Sequence, residues 1–92
     1  MAVKFRKKAI KFLEKASSEE VIKIQEQLNK LLIALEEQGV IPFSDLDIKK
    51  LRGEWEGFYR LRVGKVRVIF TVNFNSADIE VYTVGSRGDI YK

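Results

Sequence analysis

The 92-residue sequence contains no cysteine and no histidine, and only one proline and one tryptophan. The first absence excludes disulfides and thiolate metal sites and leaves nothing that argues for an oxidising compartment. The second removes the commonest general base and the commonest metal ligand, so any catalysis has to run on Lys, Arg, Tyr or carboxylate groups. Neither a metal nor a cofactor is expected. Also missing is any run of about 18 consecutive apolar residues, the least a membrane-spanning helix needs. The basic N-terminal stretch passes into mixed charged and apolar residues instead of an apolar signal segment, so the cytoplasm is the expected compartment. No phosphate loop, dinucleotide fingerprint, metal-ligand set or nucleophile elbow occurs.

What is present suffices for one core. With 46% hydrophobic and 33% charged residues the chain can fold, and at 92 residues it fits a single domain spanning 1–92. Such a small domain is modestly stable, and a partner would add to it. The net charge of +4 is unevenly spread: residues 1–15 carry +5, 16–48 carry −5, 49–72 carry +5 and 73–92 carry −1. Two basic blocks brought side by side would form a field for a polyanion; kept apart, they are a solvated surface.

Val3-Lys4-Phe5 reads as a short strand, and Lys7 to Lys15 as a short helix that places Ile10, Phe12 and Leu13 within one turn. Ser17 with Glu20 three residues later is a capping box and predicts the start of a second helix. Val21, Ile24, Leu28, Leu31, Leu32 and Leu35 recur at three- and four-residue steps along it, and Gly39 supplies its stop. Two helices joined this closely should pack as an antiparallel hairpin. Val40 to Lys50, with Pro42, reads as a connecting segment. From Phe58 the periodicity changes: Tyr59, Leu61 and Val63 alternate with Arg60 and Arg62. Gly64-Lys65 is a two-residue turn into a strand over Val66 to Asn73, and a looser turn leads to a third strand over Ile79 to Val84. The expected architecture is α+β, with a helical hairpin on an antiparallel sheet whose last three strands form a meander.

Arg60 and Arg62 emerge on one face of their strand, where Arg67 on the hairpin partner can approach them. Like charges facing one another destabilise a sheet unless something neutralises them. That is either a bound anion or an internal carboxylate, for which Glu54, Glu56 and Glu80 are the candidates. Arg52 could add a further guanidinium, and Arg87 with Tyr91 could close the site. A guanidinium suits phosphate because its planar fork donates two hydrogen bonds and keeps its charge. Phe58, Tyr59 and Tyr82 read as core or sheet-covering residues, and Trp55 as the anchor of its loop. The Lys4, Arg6, Lys7, Lys8, Lys11 and Lys15 run reads as the wet face of a short helix.

Several blocks follow one another in order: Lys50-Leu51-Arg52-Gly53, Phe58-Tyr59-Arg60-Leu61-Arg62-Val63, Val66-Arg67-Val68-Ile69-Phe70 and Val84-Gly85-Ser86-Arg87-Gly88-Asp89-Ile90-Tyr91. With the N-terminal Val-Lys-Phe they resemble the RelE/ParE toxin superfamily over nearly the whole chain, and its RelE branch in particular. The resemblance implies the toxin of a type II toxin–antitoxin pair, a ribosome-dependent endoribonuclease that enters the A site of the small subunit. There the messenger's 2′-hydroxyl attacks the adjacent phosphate, leaving a 2′,3′-cyclic phosphate and a 5′-hydroxyl. By position, Arg67 and Arg87 would polarise the scissile phosphate and Tyr91 would orient or activate the nucleophile. Arg60 would belong to the catalytic set, with Arg52, Arg62, Lys50 and Lys65 holding the RNA backbone. Arg60 and Arg62 stand where other members carry lysines, one of them assigned proton transfer. Since Arg stays protonated near neutral pH, either Tyr91, Lys50, Lys65 or Glu54 is the base, or the arginines act purely by charge stabilisation with the ribosome supplying the geometry.

The implied partners are a RelB-like antitoxin, the ribosome with its messenger, and operator DNA only as the toxin–antitoxin complex. The superfamily leaves two further possibilities: a ParE-like inhibitor of DNA gyrase without nuclease activity, and a weakly active module that chiefly binds its antitoxin.

Overall fold

The computed structural model of the protein describes residues 2–86. Strand β1 (Val3–Phe5) leads through Arg6 into helix α1 (Lys7–Lys15), and an extended Ala16-Ser17 step turns the chain into α2 (Ser18–Gln38). The capping box holds: the Ser17 hydroxyl accepts the Glu20 amide at 3.2 Å and the Glu20 carboxylate accepts the Ser17 amide at 3.4 Å. At the other end Gly39 takes φ 68° and donates to the Leu35 carbonyl at 2.9 Å. This left-handed cap costs little without a Cβ.

Strands β2 (Ile48–Lys50), β3 (Tyr59–Val63), β4 (Val66–Asn73) and β5 (Asp78–Ser86) complete one sheet in the order β1-β5-β4-β3-β2. The last three strands form the expected antiparallel meander. Two features lie outside the sequence reading. Strand β1 joins in parallel, Val3 opposite Ile79 and Phe5 opposite Val81, so the sheet is mixed. The segment read as purely connecting contributes β2, an edge strand antiparallel to β3. Ile41, Leu46 and Ile48 are buried there, which draws the segment onto the sheet even though Lys49 and Lys50 are exposed.

Both helices cover one face of the sheet. Ala9 of α1 and Ile24, Leu28, Leu31 and Leu35 of α2 pack with Leu61, Val68, Phe70, Ile79, Val81 and Val84. These positions follow the helical steps of α2 and the alternation of the strands, so each element gives the core its apolar side. Phe70 is fully buried and stacks on Tyr59 with ring centroids 5.5 Å apart. Of the described helices, none is long and apolar enough to cross a membrane.

Candidate nucleic-acid interface

The strand register divides the sheet into two faces. Leu61, Val68 and Val84 share the helix-covered face, so the next residues in each strand, Arg60–Ile69–Thr83 and Arg62–Arg67–Gly85, form neighbouring rows on the other. Lys49 joins the first row from β2. A bulge in β5 places Val81 opposite Phe70 and Thr83 opposite Ile69, leaving Tyr82 as the extra residue.

Part of the helix-free face is closed by the loop between β2 and β3. The Thr71 hydroxyl donates to the Gly57 carbonyl at 3.0 Å, holding the loop to β4. Trp55, Phe58 and Tyr82 form an edge-to-face trio with centroids 5.4–5.5 Å apart, and the Arg6 guanidinium lies 5.3 Å from the centre of the Tyr82 ring. Trp55 thus anchors its loop, and these aromatics cover sheet residues. Ile69, on that same face, is fully buried although it lies outside the main core.

The hairpin end of this face stays open. Arg62 stands opposite Arg67, and both line a shallow depression with Gly64, Lys65 and Ser86. Gly64, at φ 61°, opens the two-residue turn with the positive φ that suits a twisted hairpin. Gly85, opposite Arg67, places no side chain over it. Arg60 sits one row further in with its side chain 14% exposed, donating from Nη2 to Asp47 Oδ1 at 3.2 Å, while its buried Nε has no acceptor. An unmet buried donor costs about 1–3 kcal/mol. Asp47 also reaches Arg62, Oδ2 to Nε at 3.7 Å.

Three of the expected residues, Arg62, Lys65 and Arg67, therefore meet in one open site, with Arg60 behind them. Lys50 and Arg52 do not join it. They line a second depression along the β2 edge with Phe43, Ile48, Lys49 and Leu51. Lys50 faces Tyr59 across the strand pair, so on the order of 13 Å of β3 separates it from the turn. Arg87 and Tyr91 lie outside the described residues. The carboxylate that meets Arg60 and Arg62 is Asp47, which the sequence reading passed over; Glu80, one of its three candidates, instead pairs with Arg6 at 3.4 Å. The available signal was an acidic residue one step before an apolar Ile48, at the start of what proves to be β2.

The comparisons bear on the family and the fold. The family model described as the ParE toxin of the type II toxin–antitoxin system parDE matches residues 2–91. Among solved structures, a chain of the archaeal RelE–RelB complex from Pyrococcus horikoshii OT3 is 30% identical, with a TM-score of 0.70 over 95% of this chain and 94% of that one. A chain of the RelB–RelE antitoxin–toxin complex from Methanococcus jannaschii is 26% identical, with a TM-score of 0.65 over 97% and 95%. The RelBE2 complex from Mycobacterium tuberculosis shares the fold, at 20% identity and a TM-score of 0.70 over 94% and 96%. No curated protein matches the chain significantly by sequence. With matching family model, relatives and architecture together, the chain belongs to the RelE/ParE toxin superfamily and is the toxin of a type II toxin–antitoxin system.

Proposed function

We propose that this toxin is a ribosome-dependent endoribonuclease that cuts messenger RNA in the A site. The observation that carries this is the open depression in which Arg62, Lys65 and Arg67 converge, rimmed by Ser86, with Arg60 behind it. Three cations on one solvent-open surface offer a phosphate several charge-assisted hydrogen bonds. As the 2′-oxygen attacks, negative charge grows on the non-bridging oxygens, and preorganised guanidiniums lower the barrier by meeting it there. The P–O5′ bond breaks, the 2′-hydroxyl proton passes to a base, and the departing 5′-oxygen takes up a proton.

In this scheme Arg67 and Arg87 polarise the phosphate, Tyr91 orients or activates the 2′-hydroxyl, and Arg60 and Arg62 support the charge. Of the two lysines among the candidate bases, Lys65 lies in the depression and Lys50 outside it. As one of the three cations Lys65 binds the phosphate, and it could take the proton only from its neutral form. Lys50 and Arg52 would hold the messenger backbone further along the β2 edge. The relatives solved as RelE–RelB complexes support a RelB-like antitoxin as partner; on this reading it would cover the cationic surface. Operator DNA would be bound only by the toxin–antitoxin complex, and the cytoplasm is where ribosomes would be met.

One observation favours a second reading: the family model that matches is that of the ParE branch, for which gyrase inhibition without RNA cleavage is the alternative. Purified toxin added in parallel to a translation reaction and to a gyrase supercoiling assay separates them. Messenger cleavage with unaffected supercoiling is the expected result; inhibited supercoiling with intact messenger overturns it.

A further inference from the structure

We infer that Asp47 is an internal competitor of the substrate phosphate: its carboxylate holds donors of Arg60 and Arg62 that an RNA phosphate takes over on binding. This rests on the reading of the hairpin face as an RNA site and adds the residue that grades its affinity.

The geometry gives Asp47 two separate attachments. Its backbone carbonyl accepts the Arg62 amide at 2.9 Å, which fixes the chain beside β3. Its side chain is 55% exposed and spans Arg60 and Arg62 through one oxygen each, at 3.2 and 3.7 Å. Neither contact is the two-pronged fork that guanidinium and carboxylate can form, and both are longer than the 2.7–2.9 Å usual for charged pairs. The carboxylate can therefore rotate into solvent while the backbone stays in register. Arg60 retains a buried Nε without an acceptor, so the contact leaves the arginine only partly satisfied. A phosphodiester offers the same pair two non-bridging oxygens, one to each guanidinium as the carboxylate does, and an untethered phosphate can close to the 2.7–2.9 Å that Asp47 does not reach. Lys49, Arg60, Arg62 and Arg67 occupy adjoining positions on this face, and Asp47 sets their charge back by one until it is displaced.

The test measures binding of a fully 2′-O-methylated single-stranded RNA, which cannot be cut, to the full-length toxin by fluorescence anisotropy across a salt series. Asp47→Asn should bind about fivefold tighter than the parent, the scale of an exposed ion pair. Its salt dependence should steepen by roughly 0.7 in log–log slope, one more phosphate contact. Asp47→Ser, which removes the charge without keeping the amide, should show the same gain. The gain should vanish when Arg60 and Arg62 are both replaced by Gln. Equal or weaker binding by both Asp47 variants overturns the inference, as does a gain that persists without the two arginines, or no measurable binding by any form. The outcome separates from that of the nuclease proposal: a toxin inert on messenger that still shows the Asp47 gain loses only the latter. An active toxin without the gain loses only the former.

Discussion

Arg62 and Arg67 face each other directly across the β3–β4 hairpin, on the side of the sheet the helices leave open. Opposed like charges cost a sheet roughly 0.2–1 kcal/mol against a neutral pair, and a bound anion reverses the sign of that term. Asp47, 3.7 Å from Arg62, already offsets part of that term from within the fold, and an RNA phosphate would add to it.

Arg62→Gln and Arg67→Gln should each weaken binding of an uncleavable single-stranded RNA, with the log–log salt slope falling by about 0.7 per lost phosphate contact. Anisotropy titrations over a salt series measure both. An unchanged slope in either variant would show that its guanidinium meets no phosphate.

Phe70, fully buried and stacked on Tyr59, is a central packing residue of the meander. Phe70→Ala should lower unfolding free energy by about 3–5 kcal/mol, from lost burial and the cavity left behind. Chemical denaturation monitored by circular dichroism gives the value, and a loss under about 1 kcal/mol would mean the core closes around the gap.

Thr71→Val keeps the shape of the side chain and removes the 3.0 Å bond to the Gly57 carbonyl. About 1 kcal/mol of stability should be lost. Emission from the lone tryptophan, Trp55, should shift to the red as its loop loosens from β4.

At Gly39 a Cβ would meet no atom within 4 Å, so the cost of Gly39→Ala comes from its φ of 68° alone. A left-handed L-residue costs roughly 1–2 kcal/mol, and a drop of that size in denaturation experiments is expected. A neutral result would indicate that the end of α2 rewinds into another cap.

How much of this was legible in the sequence depends on the range of the signal. Helix α2 was readable because its cap, its apolar steps and its terminal Gly39 are all local. The β3–β4 hairpin was readable because alternation around Gly64-Lys65 sets both face and register. Strand β2 was not: three residues, two of them lysines, carry no period, and its pairing depends on Ile48 meeting Leu61. The parallel pairing of β1 with β5 joins residues 76 apart and leaves no mark in a three-residue strand. The bulge at Tyr82 was hidden for the same reason, since an extra residue shows only against the partner strand.

At the site, the convergence of Arg62 with Arg67 followed from hairpin register. Asp47 did not, because its approach to Arg60 and Arg62 exists only once β2 lies along β3. Glu80 was a reasonable guess as the neutralising group, but its row on β5 faces Lys4 and Thr71, and it meets Arg6.

The most direct test of the central claim maps messenger 5′ ends by primer extension after purified toxin is added to a reconstituted translation reaction, with free RNA and Arg67→Ala in parallel. Cuts within A-site codons that require the ribosome and disappear with Arg67→Ala are the predicted result. Messenger that stays intact under translation, or is cut equally well by Arg67→Ala, would contradict it.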